Sequence, residues 1–262
     1  MLRLTSWTAV LLTVTLYFSS PTIAGSSAES KAGVFLGEAK TLGNGVAWSW
    51  VERDADGKPS AMGVAFTETA LTGLQETPPP YLPGWEYALA LPREAGVKPF
   101  DHIVLDWNPT GHIPPGIYDV PHFDVHFYLM PQKEREGITA TDADLIKCKK
   151  KPAANFIPAD YILPDGTEVP RMGAHWIDPT APEFNKHAFT KTYIYGSYNG
   201  RVAFIEPMMS KAFLETKPDV TEPIKQPEAY QKPGYYPTSY SVKYDPVRKE
   251  YKVSLTGLTM RK

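Results

Sequence analysis

The chain has 262 residues, 27 Lys+Arg against 29 Asp+Glu, 26 prolines and a single cysteine. A formal charge of -2 argues against nucleic-acid binding, one cysteine excludes an intrachain disulfide, and proline at roughly twice its usual ~5% share excludes a helical bundle. Hydrophobic residues at 42% are enough for a sizeable core, and the abundance of tyrosine favours strands and loops.

The chain opens with Arg3 followed by an uncharged stretch, Leu4 to Phe18, and then Thr22-Ile23-Ala24, with small residues where a signal peptidase inspects. Residues 1–24 therefore read as a secretory signal, with cleavage expected after Ala24. Pro21 breaks the apolar run before it reaches a bilayer's ~20 residues, so a retained anchor is the weaker reading. The mature chain, 25–262, is expected to be exported to the periplasm or medium, with no membrane association.

Strand signals then follow in order. Val46 to Glu52 alternates, Asp54-Ala55-Asp56-Gly57 marks a turn, and Ala61 to Glu68 resumes with Met62, Val64 and Phe66 on one side. Pro78-Pro79-Pro80 makes a stiff connection to further strands at Glu86–Leu91 and His102–Trp107, the latter with Ile103, Leu105 and Trp107 on one face. A short helix is expected over Ala143–Lys149. Lys191–Tyr195 and Val202–Ile205 flank an Asn199-Gly200 turn, and a helix is expected to start after Pro207. Lys217 to Pro237 holds five prolines and reads as an extended strap, followed by a hairpin of Ser239–Tyr244 and Glu250–Leu255. The expected fold is all-β, a β-sandwich or barrel in a single domain, with residues 218–262 as strap and terminal hairpin.

Chemistry concentrates in Pro121-His122-Phe123-Asp124-Val125-His126-Phe127-Tyr128. As a strand, it places His122, Asp124, His126 and Tyr128 on one face and Phe123, Val125 and Phe127 on the other; as a helix, its apolar residues would scatter. An ordinary solvated face would carry Thr, Lys, Glu or Ser. Imidazole with carboxylate instead matches a site for zinc, iron, manganese or copper. His112, in Gly111-His112-Ile113-Pro114-Pro115, and His175, in Met172-Gly173-Ala174-His175-Trp176, are the further candidate ligands.

Spacing restricts the site. His122 and His126 stand roughly 13 Å apart on a flat strand at ~3.4 Å per residue, so His122/Asp124 or Asp124/His126 is the natural chelating pair unless the strand bends. The expected set is His112, His122, Asp124, His126 and His175 around one cavity, holding a divalent transition metal such as zinc. A polar pocket for an organic ligand and a hydrogen-bonded structural cluster remain the alternatives. Asp124 and Glu206 are the candidate proton acceptors. Glu206, after an apolar strand and before the expected helix, also fits a purely structural role at that helix's positive end, and that role is the favoured reading. His102 and His187 are expected at the surface. Cys148, among Lys147, Lys149, Lys150 and Lys151, is read as a lone helix thiol in preference to a reactive one. The sequence lacks a Gly-rich phosphate loop, a Gly-x-Ser-x-Gly elbow and a His-Glu-x-x-His helix.

The string Trp107-Asn108-Pro109, Gly111-His112, Pro114, Tyr118, His122-Phe123-Asp124 and His126-Phe127-Tyr128 resembles an uncharacterised family of exported bacterial proteins. Its described member is a thermophile protein under envelope-stress sigma-factor control. Met172 to Asp178 and Tyr195 to Met208 extend the resemblance, which runs from about Trp48 to Leu214; the tail after Lys217 lies outside it. The family implies a β-rich homo-oligomer and no established reaction. Three functions follow as expectations: an exported metal protein, enzymatic or not; a non-enzymatic envelope or stress protein that assembles through aromatic edges; and a binder of a small molecule.

Overall fold

The alternating segments form strands in the computed structural model, which describes residues 32–262; the expected leader at 1–24 lies outside the described residues. In chain order the strands are β1 (Gly33–Leu36), β2 (Lys40–Leu42), β3 (Gly45–Arg53), β4 (Pro59–Thr67), β5 (Trp85–Ala90), β6 (His102–Asn108) and β7 (His122–Tyr128). Helices α1 (Gln132–Glu136) and α2 (Asp142–Lys149) follow, then β8 (Glu168–Val169), β9 (Gly173–Trp176), β10 (Lys191–Tyr198) and β11 (Arg201–Ser210). The chain closes with α3 (Lys211–Glu215), β12 (Asp219–Pro223), β13 (Gly234–Tyr236), β14 (Ser239–Asp245), β15 (Glu250–Thr256) and β16 (Thr259–Arg261).

Two antiparallel seven-stranded sheets result. One runs β1-β3-β4-β15-β14-β12 with β2 also on β3, the other β5-β6-β7-β11-β10-β9-β8; β13 and β16 pair separately. The all-β sandwich expected from the sequence is observed. The proline strap is less irregular than its composition implies, because Asp219–Pro223 pairs with β14 as an edge strand, where proline costs little. Among the described residues, no helix is long and apolar enough to cross a membrane.

Period-two alternation sets which side of each strand meets the core. Met62, Val64 and Phe66 of β4 and Val253 and Leu255 of β15 face Ile103 and Leu105 of β6 and Phe123, Val125 and Phe127 of β7, all at 0% exposure. The Phe66 ring stacks on Phe123 at 5.8 Å across the interface. Each such side chain contributes about 1.5–3 kcal/mol on burial, so β7 is pinned by its inner face whatever its outer face carries.

That outer face is also covered. Every residue of β7 is buried, because the segments after β6, β7 and β9 fold back over the second sheet. Two small apolar clusters close its ends: Tyr118, Phe189, Ile194 and Met208 at one, and Val104, Tyr128, Met130, Cys148 and Phe204 among others at the second. Cys148 is fully buried there, and burial pushes its thiol up to about 11, which suits the inert reading. His102 departs from expectation. It is only 3% exposed, since its ring stacks on Tyr128 at 4.8 Å and its Nδ1 meets Asp101. His187 is exposed as expected.

The largest correction concerns the segment after Ile205. β11 does not stop there; it continues through Glu206 and Pro207 to Ser210, and the helix begins at Lys211. Its partners on β7 are matched at Phe204 and Ile205 and again from Met208 to Ser210, leaving Glu206 and Pro207 outside the ladder. Proline has no N–H to donate, so the strand survives Pro207 by skipping those pairs while β10 still flanks it. Glu206 therefore sits mid-sheet, and the helix-end role favoured from the sequence does not apply.

Candidate metal centre

The register of the second sheet builds the centre. On β7 the outer-face residues are His122, Asp124, His126 and Tyr128; opposite them on β6 stand Asn108, Asp106, Val104 and His102. Met208 of β11 lies opposite Asp124, and continuation of that register brings Glu206 across from His126. On β10 Ile194 pairs with Glu206 and Gly196 with Phe204, while His175 of β9 pairs with Gly196. His112 arrives from the loop after β6. Gly111, at φ +71°, makes the turn, and the His112 N–H donates to Tyr118 O at 3.0 Å.

The candidate ligands do not gather on one point. They divide into two groups of three, His112/His122/Asp124 and His126/His175/Glu206, each with its ligand atoms within 4.8 Å of one another. The single five-residue set expected from the sequence is thereby corrected to two, in line with the roughly 13 Å that separates His122 from His126 on an unbent strand. Tetrahedral ligands at ~2.1 Å from an ion stand roughly 3.4 Å apart, and the imidazole–carboxylate separations here are 3.2–3.9 Å.

In the first triad, His122 Nε2 lies 3.2 Å from Asp124 Oδ1, and His112 Nε2 lies 3.2 Å from Asp124 Oδ2. Asn108 Nδ2 donates to Asp124 Oδ2 at 2.7 Å. Burial alone would raise the Asp124 pKa, but the charge of nearby His122 and the hydrogen bond from His112 hold it well below the ordinary carboxylate value. Burial likewise opposes the charged form of His112, and the hydrogen bond and charge of Asp124 outweigh it, raising that pKa.

The second triad is balanced differently. His126 Nε2 is 3.4 Å from Glu206 Oε2 and His175 Nε2 is 3.9 Å from the same oxygen. Burial drives His126 down to about 4 and His175 down to about 3, so both imidazoles are neutral near pH 7. Burial, then the negative charges of Asp124 and Asp106, push Glu206 well above its usual range. The Phe204 ring packs against both imidazoles, with centroids 4.8 Å from His126 and 5.2 Å from His175.

All four imidazoles are oriented through Nδ1. Nδ1–H donates to Ile113 O in His112 (2.8 Å), Val120 O in His122 (2.7 Å) and Thr167 O in His175 (2.7 Å), and His126 Nδ1 is hydrogen-bonded to Asp106 Oδ2 (2.8 Å). That turns every Nε2 toward a carboxylate, the arrangement by which proteins orient metal-ligating histidines. Four of the atoms concerned, His122 Nε2, Asp124 Oδ1, His126 Nε2 and Glu206 Oε2, are buried without a hydrogen-bond partner. Each such nitrogen–oxygen approach in a buried site is favourable when a cation or a proton stands between the two atoms.

Glu86, Asp106, Asn108, Arg135 and Thr167 complete the surroundings and are not among the residues expected from the sequence. Asp106 lies opposite both Glu86 and Asp124 on the neighbouring strands, and burial with the Asp124 charge pushes it up to about 8. Glu86 in turn pairs with buried Arg135 at 2.7 Å. The alternation in His102–Asn108 holds the signal for Asp106 and Asn108: both are polar residues on the face opposite Leu105 and Trp107.

His112, Asp124, His175 and Glu206 line a cavity of about 680 Å³ between the loop carrying His112 and the segment Pro164–Thr167, while His122 and His126 lie behind it at 0% exposure.

Fold and centre together define an antiparallel β-sandwich whose second sheet carries two groups, each of two histidines and one carboxylate, that could hold metal ions. Over residues 54–107, from the β3–β4 turn into β6, the chain is similar to the family described as TTHB210-like, hypothetical protein TTHB210, which supports placement with an uncharacterised family. That stretch ends before the first triad residue. No curated protein and no solved structure matches the chain.

Proposed function

We propose that this is an exported metal-binding protein that holds two divalent transition ions, one in each triad. The observation that carries the reading is the shared orientation: four Nδ1 atoms are tied off on carbonyls or a carboxylate, and four Nε2 atoms are turned toward Asp124 and Glu206. A hydrogen-bonded structural cluster would pair its buried polar atoms, whereas His122 Nε2, Asp124 Oδ1, His126 Nε2 and Glu206 Oε2 have no hydrogen-bond partner among the described residues. Two imidazoles and a carboxylate suit zinc or iron and leave coordination positions open, and one imidazole and the carboxylate of each triad line the cavity. In such a site the ion supplies Lewis acidity, with Asp124 and Glu206 both ligands and the nearest bases.

Elemental analysis of untagged protein, purified without chelators and then equilibrated with zinc or cobalt, tests this. About two ions per chain are expected from the two groups; no retained ion after dialysis would return the histidines to the structural reading. Export rests on residues 1–24 and is checked by the N-terminal mass of protein recovered from the producing cell, where intact Met1 on most molecules counts against it. Homo-oligomerisation, which the family resemblance implies, is checked by light scattering.

A further inference from the structure

The cavity in front of the triads has a composition that specifies what enters it. Its titratable groups come mainly from the triads: His112 and Asp124 from the first, His175 and Glu206 from the second. The rest of the lining is mainly apolar: Pro83, Pro114, Met172 and Ile177, with Ile194 and Met208 beside Glu206 and Asp124 on the sheet. None of the described lining residues is Lys or Arg, and the one further charged residue is Asp165. Tyr118 also lines the space, but its hydroxyl already donates to Glu183 Oε1 at 3.0 Å. A phosphorylated ligand would therefore find no cationic side chain, and a sugar would find Thr167 and little else to pair its hydroxyls.

From this geometry we infer that the cavity receives a single apolar organic molecule whose oxygen-donor head group sits at the triads and whose hydrocarbon body fills the proline- and aliphatic-lined space. A volume of about 680 Å³ suits such a ligand, since pockets of roughly 300–1,000 Å³ enclose most of a small organic molecule. This inference rests on the metal reading of the triads, because the ions supply the contact for the head group. Head-group binding is then common to many oxygen chelators, and selectivity comes from the apolar body.

Hydroxamates separate the two contributions. Full-length mature protein is loaded with cobalt(II), its content measured, and acetohydroxamate, benzohydroxamate and inorganic phosphate are each titrated while the cobalt absorption bands are followed. Benzohydroxamate is expected to bind at least about tenfold more tightly than acetohydroxamate, because the head group is constant and only the buried apolar area grows. Ile177→Ser should reduce that ratio at least about threefold, with cobalt content and acetohydroxamate affinity unchanged. Equal affinities for the two hydroxamates on cobalt-loaded protein, or phosphate bound more tightly than benzohydroxamate, would overturn the inference and leave the metal reading standing. Failure to bind cobalt at all would overturn both.

Discussion

The two triads share β7 yet differ in what holds them. The first takes His122 and Asp124 from that strand and His112 from a loop; the second takes one residue from each of β7, β9 and β11. In the first, Asp124 has a donor in Asn108 and stays ionised, so its negative charge is matched before any ion arrives. In the second, Glu206 has no donor, faces two neutral imidazoles and is driven toward its protonated form. A cation therefore replaces existing partial charge in the first site and a proton in the second. Rigid sheet geometry accompanies the electrostatically unfavourable set, and the adjustable loop accompanies the comfortable one.

Removing His126 should break this contrast most severely. His126→Ala leaves Asp106 and Glu206 buried without their imidazole, and leaving a buried polar partner unsatisfied costs about 1–3 kcal/mol, with the vacated ring volume adding to it. Urea unfolding should show that loss, and the ion count should fall to about one per chain, the first triad being intact. His122→Ala should lower the count equally while leaving Glu206 and its two imidazoles in place.

Gly196→Ala strikes the second triad without touching a ligand. A Cβ there would lie 2.0 Å from the Phe204 ring, which is wedged against His126 and His175. Overpacking of this kind costs about 1–3 kcal/mol. Calorimetric titration should show weaker binding at one site and an unchanged second site. Asn108→Ala is the milder counterpart in the first triad: removing the donor that orients Asp124 should weaken that ion by about tenfold, as outer hydrogen-bond partners of ligands typically do.

Acidity separates the triads with the smallest effect. Above the ordinary histidine value of 6.5, His126 and His175 are neutral in both folded and unfolded chains and add no pH dependence. Asp106, pushed up to about 8, still holds its proton in the folded protein when the unfolded chain has lost it, and Glu206 is raised in the same direction. The unfolded state then binds fewer protons, so metal-free protein should lose stability as pH rises from 6.5 to about 8. Thermal melts across that window should show a falling midpoint without metal and a flatter one with it; a midpoint rising with pH would contradict the assignment.

Much of this is legible in the residues. Strict alternation in His122–Tyr128 separates a core face from a polar face, and strand geometry makes a common ion for His122 and His126 unfavourable without a bend, although the division into two groups is not legible. Asn199-Gly200 marks its hairpin because both residues adopt positive φ, 49° and 74°. Glu206 misleads because Pro207 is an ordinary helix-start signal, and only the flanking strands β7 and β10 show that the strand continues past it. The short strands β8 and β9 escape notice since two and four residues carry too little periodicity, their pairing being dictated by β10. His102 reads as a surface residue because the sequence does not reveal the segments that fold over the outer face.

Anomalous diffraction from crystals of the mature protein soaked in zinc or cobalt tests the central claim most directly. The account requires two peaks per chain, one about 2.0–2.2 Å from His112 Nε2, His122 Nε2 and an Asp124 oxygen, the other equally near His126 Nε2, His175 Nε2 and a Glu206 oxygen. Peaks confined to surface residues, with both triads empty and their hydrogen bonds intact at full metal loading, would contradict it.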